Sequence, residues 1–453
     1  MSGRPRVLVY GLAIAGEAVA RALVKRGYKV IAADDKPSAA ALDVARELGI
    51  DMYEAPSAAK IDRLVERVEL VVPAPGIPET HHLIEACQRD GIALRSEIDL
   101  AYEWERDRVG GPRPMLGVTG TDGKTTTTML ATAMVEASGQ RAIAAGNTEV
   151  PLVAALDSDV DVLVVECTSF RLAYIDQFAP RAAVWLNLAE DHLDWHRSIA
   201  SYGNAKARIW EHQNAHDAAI AFADDPLVMH HLASAPARHL TFGAASTADY
   251  HRRGDDLVGP AGRLASVTSM RRALPHDVTN ALAAAALVLE SGCATIAGVA
   301  SALASFEGVA HRITRVAEHD GVTYYDDSKA TTPHAAVTAM RAFDSVVLIA
   351  GGRNKGLDLA TMADAADHVR AVVAIGDSAA EIAAAFVDRR PVVTATTMDG
   401  AVGAARKLAH VGDAVLLSPG CASFDWYTGY GQRGDDFARA VRESLAGTAT
   451  ADQ

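Results

Sequence analysis

Cysteine is scarce and scattered: four residues, at 87, 167, 293 and 421, with none of the C-x-x-C spacings that hold zinc or form a redox pair. So few thiols cannot staple a chain of 453 residues, which excludes a disulfide scaffold and points to a reducing cytoplasm. Long apolar runs are missing too; none approaches the roughly 18 residues that a membrane-spanning helix needs. Arg4 and Arg6 ahead of the apolar stretch 7–15 imitate a secretory leader, but Glu17 and Arg21 interrupt it, and Gly11 and Gly16 suit a phosphate turn better. Positive charge is in deficit, 43 Lys and Arg against 57 Asp and Glu for a net charge of −14. That balance leaves no broad basic face for nucleic acid or an anionic membrane, so the cations that meet an anionic ligand must be local.

What is present is ordinary core-building material, 49% hydrophobic and 22% charged. At about 150 residues per domain the length allows two to four domains, with three as the central expectation. Short Val/Ile/Leu runs alternate with longer Ala-rich helical stretches, the pattern of parallel sheets covered by helices, so the fold class is α/β. The spacing predicts strands at 7–10, 30–33, 70–73, 114–119, 162–166, 183–188, 322–325, 346–350, 372–375 and 414–418, each short, apolar and bounded by Gly, Pro or Asp. Two seams stand out, at 106–114 and around 306–311 after an Ala-rich helix at 279–289. They divide the chain into 1–105, 106–308 and 309–453. No internal repeat or low-complexity tract is visible, and only 447–453 read as a frayed tail.

The first glycine loop, Gly11-Leu12-Ala13-Ile14-Ala15-Gly16, follows a strand and opens a helix, and the second strand ends in Asp34-Asp35 at the spacing of a ribose-binding acid. A nucleotide-sized ligand fits this arrangement, as does a plain strand-to-helix turn. Ala13 stands where a dinucleotide fold needs its second glycine, because a Cβ there blocks close approach to a pyrophosphate.

The second loop is more specific. Gly117-Val118-Thr119-Gly120-Thr121-Asp122-Gly123-Lys124-Thr125-Thr126 runs from an apolar strand into a helix expected over 126–137. It offers backbone N–H groups and a helix N-terminus to phosphate oxygens, Lys124 to the β/γ charges of ATP and the Thr125 hydroxyl to Mg²⁺. A strict G-x-x-x-x-G-K-[ST] motif would have glycine at Val118, so this is a variant. Downstream, an apolar strand ends in Glu166, where an oxygen ligand for Mg²⁺ would stand. A further strand leads into Glu190-Asp191-His192-Leu193-Asp194-Trp195-His196, in which His192 is the stronger ligand candidate and His196 the weaker.

Taken in order, Gly120 to Thr125, Gly146-Asn147, Glu166-Cys167-Thr168-Ser169-Phe170, Asp191-His192-Leu193-Asp194, Tyr202 through Lys206, His311-Arg312, Asp327-Ser328-Lys329-Ala330-Thr331, Gly351 through Lys355 and Ser418 through Ser423 resemble the Mur ligases, most of all the glutamate-adding branch. The Ala74-Pro75-Gly76-Ile77 turn extends the likeness into the first third.

The resemblance implies a Rossmann-like N-terminal domain holding a uridine diphosphate, a central P-loop-type ATPase domain and a Rossmann-like C-terminal domain that brings the amino-acid site. It implies ATP-dependent amide formation: UDP-MurNAc-L-alanine is activated as an acyl phosphate and joined to glutamate, a step in peptidoglycan precursor synthesis that serves cell shape and division. A cytoplasmic monomer acting on small molecules is expected, with neither nucleic acid nor membrane insertion. By the same resemblance Ala13, Ile14, Ala15, Asp34, Asp35, Gly76 and Asn147 would meet the UDP-sugar, and Gly120 to Thr126 with Asn280, Arg312 and Asp327 would meet ATP, Asn280 at the adenine. Two Mg²⁺ ions would be held by Thr125, Glu166, His192 and Lys206, the last as a carbamate, since an ammonium cannot ligate a cation. Lys124, His192, Lys206 and Lys329 would be catalytic. Thr331, Lys355, Ser423 and Phe424 would hold the glutamate, with Lys355 as the cation for its carboxylates.

The chain departs from the family pattern at Thr148-Glu149 (usually Ile-Gly), at Cys167 with Thr168 and at Arg171 (usually Leu-Ser and Gln), and at Asp277 (usually Asn). Three readings compete with the glutamate ligase: another amide ligase of the superfamily, such as another muramyl ligase, an L-glutamate-adding variant or a folylpolyglutamate synthetase; an NAD-dependent oxidoreductase built on the first loop; and a non-catalytic nucleotide sensor. The absence of an Asp-Asn-Pro-Arg element argues against the diamino-acid-adding type, the oxidoreductase leaves Lys124, Glu166 and His192 unexplained, and the sensor does not need them.

Overall fold

The computed structural model describes residues 5–449, so Arg4 and residues 450–453 lie outside it. Three mainly parallel sheets follow one another along the chain. The first comprises β1 (Arg6–Tyr10), β2 (Lys29–Asp34), β3 (Asp51–Glu54), β4 (Leu70–Pro73) and β5 (Ala93–Leu94), ordered β3-β2-β1-β4-β5. The second comprises β6 (Met115–Thr119), β7 (Ala142–Gly146), β8 (Val162–Glu166), β9 (Ala182–Trp185), β10 (Ala218–Phe222), β11 (Arg238–Gly243), β12 (Tyr250–Arg253), β13 (Asp256–Gly259) and β14 (Gly262–Ser266). Its order is β14-β13-β12-β11-β10-β9-β6-β8-β7. The third comprises β15 (Thr314–His319), β16 (Val322–Asp326), β17 (Val346–Gly351), β18 (Val369–Ile375), β19 (Val392–Thr394) and β20 (Ala414–Leu417), ordered β15-β16-β20-β17-β18-β19.

Every expected strand is a strand, although the one expected to reach 188 stops at Trp185. The sheets are not wholly parallel: β12, β13 and β14 form an antiparallel meander at one edge of the second sheet, and β15 pairs antiparallel with β16. The expected tail is corrected in part, because the last helix, Tyr430–Ala449, continues through Gly447.

The contacts group the chain into two compact units, one of residues 1–273 and 277–306, the other of 274–276 and 307–453. The first unit contains two sheets because their cores are continuous. Val7, Val9 and Leu23 belong to one buried apolar cluster with Ile98, Leu152, Leu163, Trp185 and Trp210. The opposite face of the second sheet packs against helices Lys124–Ala137 and Pro275–Glu290, the latter buried along Ala281 to Val288, where alanines let the helix lie close. In the second unit both faces of the third sheet are apolar. Among the described residues no helix is long and apolar enough to cross a membrane.

The stretch 106–114 is anchored rather than loose. Arg113, buried, donates from its backbone N, Nε and Nη2 to the Glu105 carboxylate at 2.9, 2.8 and 2.6 Å. It also donates to the carbonyls of Ser158 and Leu156 at 2.8 and 3.0 Å. Removing one partner of such a pair strands a buried charge. We therefore expect Glu105→Ala to lower the stability of this unit by about 3–5 kcal/mol in chemical denaturation, and a loss under about 1 kcal/mol, the range of an exposed pair, would contradict this account.

Candidate active site

In the second sheet β6 lies between β8 and β9, in register Val118↔Glu166 on one side and Thr119↔Trp185 on the other. Parallel pairing therefore delivers three carboxyl-terminal ends to one place: the loop 120–123, the Glu166 end and the segment after Trp185. The loop needs its glycines. Gly120 sits at φ +156°, and a Cβ there would stand 2.9 Å from Leu186 Cβ; Gly123, at φ +82°, caps helix Lys124–Ala137, and a Cβ there would meet Asn280 Oδ1 at 2.8 Å. Asn280 thus lies against the loop, and its Oδ1 is 3.4 Å from Thr127 Oγ1.

Asn187 ties the loop down. Its Oδ1 accepts from the N–H groups of Thr121 and Asp122 at 3.0 and 2.9 Å, and its Nδ2 donates to Asp122 O at 3.2 Å. Thr121 Oγ1 accepts from Ala189 N at 3.0 Å and lies 3.2 Å from Tyr202 OH. Two lysines converge on one carbonyl: Lys124 Nζ is 2.8 Å and Lys206 Nζ 2.7 Å from Gly120 O. Lys206 is 1% exposed and lies over the Tyr202 ring. Burial first, and the neighbouring Lys124 charge second, push its pKa well below the ordinary lysine value.

Glu166 is 1% exposed, its Oε1 accepts from Asn147 Nδ2 at 2.9 Å, and its Oε2 is buried without a hydrogen-bond partner. A buried carboxylate oxygen in that condition fits a bound cation. His192, at φ +56°, has Nε2 3.2 Å from Asp191 Oδ2. Its ring packs edge-on to Phe170 at 4.7 Å between centroids. Thr125 and Thr126 lie in the first turn of the loop's helix.

Arg171 is the most consequential departure from the family pattern. Buried, it donates from Nη1 to Asn147 Oδ1 at 2.9 Å and from Nε to Glu97 Oε1 at 3.2 Å. Asn147, expected at the sugar nucleotide, is thereby held between Arg171 and Glu166. Glu149 is exposed, and the Asp277 carboxylate is met by Arg272 at 3.2 Å.

At the first loop, Gly11 (φ +88°) and Gly16 are forced by space, since a Cβ on Gly16 would stand 1.8 Å from Gly11 O and one on Gly11 2.7 Å from Ala74 Cβ. The loop therefore abuts the turn containing Gly76. Ala13 is the helix N-cap, Ile14 is exposed and Ala15 half-buried. Asp34 accepts from Leu12 N and Lys36 N, both at 2.9 Å, so its carboxylate shapes the loop, whereas Asp35 is more open, with Tyr10 OH at 2.6 Å and His81 Nε2 at 3.2 Å.

A separate cluster forms in the second unit, where β16 pairs with β20 and β20 with β17. Asp327 accepts from Ser418 Oγ at 2.7 Å and from Ile313 N at 3.3 Å. Arg312 is half-buried in the adjoining 311–313 stretch, and Lys329 Nζ lies 5.3 Å from the Tyr430 ring. Gly420 N donates to Ala330 O, which brings the 418–423 loop beside Thr331, and the Arg353↔Ala422 bridge brings the exposed Lys355 loop beside buried Ser423. Phe424 is 63% exposed.

Asn187, Tyr202, Arg171 and Glu97 were not among the expected site residues. Asn187 and Tyr202 lie inside stretches singled out in the sequence, but their hydrogen-bond partners lie more than 60 residues away in the chain.

A strand, a glycine turn, a lysine at the helix start and an acid closing the adjacent strand define the phosphate-loop class of α/β proteins. The profile of the Mur ligase middle domain matches residues 118–288, and that of the Mur ligase glutamate ligase domain matches 311–421. A UDP-N-acetylmuramoylalanine–D-glutamate ligase from Frankia casuarinae is 42% identical, covering 96% of this chain and 93% of that protein. One of the same name from Mycolicibacterium vanbaalenii is 39% identical over 97% and 98%. Among solved structures, a MurF ligase from Thermotoga maritima in complex with ADP shares the fold with a TM-score of 0.59 at 18% identity, covering 84% of this chain and 95% of that one. The UDP-N-acetylmuramate–alanine ligase of the same organism gives 0.58 at 18% over 97% and 100%. The chain belongs to the Mur ligase family.

Burial pushes the Asp327 pKa up to about 7. Between the ordinary carboxyl value near about 4 and that raised value, the folded form binds more protons than the unfolded one. Its contribution to stability is therefore full below about pH 4 and falls as the pH rises toward 7. Asp327→Asn should remove this loss, so the denaturation midpoint of the variant relative to wild type rises between those pH values and is level above them; a difference independent of pH would refute it.

Proposed function

We propose that this chain is an ATP-dependent ligase that adds D-glutamate to UDP-N-acetylmuramoyl-L-alanine in peptidoglycan precursor synthesis. The observation that carries the reading is the convergence of Lys124, Lys206 and the unpartnered Glu166 oxygen around a glycine loop, in a chain similar along nearly its whole length to D-glutamate ligases. The relatives named above are ligases, and nothing favours the oxidoreductase reading.

A carboxylate is a poor electrophile. Its oxygen attacks the γ-phosphorus of ATP, releasing ADP and leaving an acyl phosphate; the glutamate amine then attacks the acyl carbon, loses a proton and expels inorganic phosphate. In this reading Gly120 to Thr126 cradle the phosphates, Lys124 draws charge from the transferring group, and Asn280 meets the adenine. Glu166, Thr125, His192 and a carbamylated Lys206 would hold two Mg²⁺ ions, which supply charge neutralisation when bound. Burial of Lys206 and its lowered pKa support carbamylation, because only the unprotonated amine adds to carbon dioxide.

The three sheets would serve as three domains, 1–105, 106–308 and 309–453. The first would place the UDP-sugar with Ala13, Ile14, Ala15, Asp34, Asp35, Gly76 and Asn147. The third would bring Arg312 and Asp327 to ATP, Lys329 to the reacting phosphate, and Thr331, Lys355, Ser423 and Phe424 to the glutamate. The reading takes the chain as a cytoplasmic monomer.

The decisive assay is ADP release with UDP-MurNAc-L-alanine and each glutamate enantiomer. Turnover is expected with the D form, and failure with both would overturn the assignment. Lys124→Ala is expected to abolish turnover. Lys206→Ala is expected to be severely impaired and partly recovered by a small added carboxylic acid; near-normal rates in either variant would remove that residue from the mechanism.

A further inference from the structure

Glu79 stands just beyond the turn at the end of β4 and is itself given no role in the ligase reading. Its Oε1 is 2.7 Å from His196 Nδ1, and His196 Nε2 is 2.8 Å from Ser169 Oγ. Its Oε2 accepts from Arg197 N at 3.2 Å and from Ser201 Oγ at 3.3 Å, while its backbone N donates to Trp195 O at 3.2 Å. One residue thus grips the stretch 195–201 at four points.

That stretch is bounded by His192 on one side and by helix Ile199–Ala207, which carries Lys206, on the other. Ser169, at the far end of the line, lies three residues after Glu166 and opens the short helix Ser169–Leu172. Phe170, Trp195, His196 and Tyr202 pack together, with ring centroids 4.8 Å apart for Phe170–Trp195 and 5.2 Å for His196–Tyr202. His196 thus touches Tyr202 on the helix that carries Lys206, donates from its backbone N to His192 O, and meets Ser169 three residues after Glu166.

The line has one direction. A carboxylate only accepts, so the imidazole proton sits on Nδ1 facing Glu79, and Nε2 accepts from the Ser169 hydroxyl. His196 and Ser169 are each 1% exposed, so the bond between them is closed to solvent, while Glu79 is partly exposed.

We propose that Glu79 is a positioning residue for the ligation reaction: through His196 and the 195–201 stretch it sets the placement of Glu166, His192 and Lys206. The geometry of the divalent-ion site then depends on the sheet that carries the first glycine loop. The proposal rests on the metal ligands assigned under the proposed function. Outer partners of metal ligands act by orienting them, and their loss costs affinity rather than fold.

The test is Mn²⁺ binding, followed by electron paramagnetic resonance with a non-hydrolysable ATP analogue, in the full chain and in His192→Ala, Glu79→Ala and Ser169→Ala. Glu79→Ala is expected to weaken Mn²⁺ binding and raise the Mg²⁺ concentration for half-maximal rate by about tenfold, while KM for the UDP-sugar stays unchanged. Ser169→Ala, which cuts the line at its other end and leaves Glu79 in place, is expected to shift both in the same direction. Glu79→Gln, which keeps an oxygen opposite Nδ1, should recover part of the loss. Adding His196→Ala to Glu79→Ala should cost less than the two single losses summed. Wild-type Mn²⁺ affinity in both Glu79→Ala and Ser169→Ala, beside a weakened His192→Ala, would overturn the proposal alone, whatever their melting temperatures. Mn²⁺ binding insensitive to His192→Ala would overturn the metal assignment beneath it.

Discussion

Two lysine side chains end on one carbonyl oxygen, and much of the central site follows from that crowding. Lys124 and Lys206 both reach Gly120 O. Burial first and the Lys124 charge second lower the pKa of Lys206. Lys124 keeps its place at the first turn of a helix, where the dipole adds positive potential. A corner so arranged favours an anion of phosphate shape. The crowding is possible only because Gly120 and Gly123 adopt backbone angles that a side chain would oppose.

Around this corner, buried polar groups are joined in lines rather than isolated pairs. Glu97, Arg171, Asn147 and Glu166 form one; Glu79, His196 and Ser169 form another. Each begins on the side of the first sheet and ends at or beside Glu166. The arginine at 171 makes sense in the first line. It neutralises the buried Glu97 carboxylate and turns the Asn147 amide so that its N–H₂ faces Glu166, leaving the other carboxylate oxygen open. The continuous apolar core beneath both sheets gives these lines a common rigid base.

The second unit solves a similar problem with different parts. Three neighbouring strand ends again gather a polar cluster, but its centre is a carboxyl group raised by burial and steadied by Ser418. Arg433, buried, ties Ser328 and Cys421 by donating to their oxygens at 2.8 to 3.1 Å, which closes the cluster from below. Gly434 leaves room for His311 and Asp326 to meet at 2.6 Å, where a Cβ would stand 2.2 Å from the imidazole.

Strands buried on both faces, such as β6, β8 and β17, read correctly from sequence because burial demands an unbroken apolar run, although the comparably buried β10 was not among those expected. The meander β12 to β14 was illegible for the opposite reason: Arg252, Arg253 and Arg263 face solvent at a sheet edge, and no apolar pattern marks them. Of the site, the order of glycine, lysine, hydroxyl and acid was legible because a phosphate loop is local, built from adjacent residues and the helix they open. The sequence by itself determined the α/β class, that loop and the family. Only the tertiary structure decided that Lys206 meets Gly120 across 86 residues and that Glu79 meets His196 across 117. Parallel strand order sets which distant loops share one end of a sheet, and no local pattern of side chains carries that information.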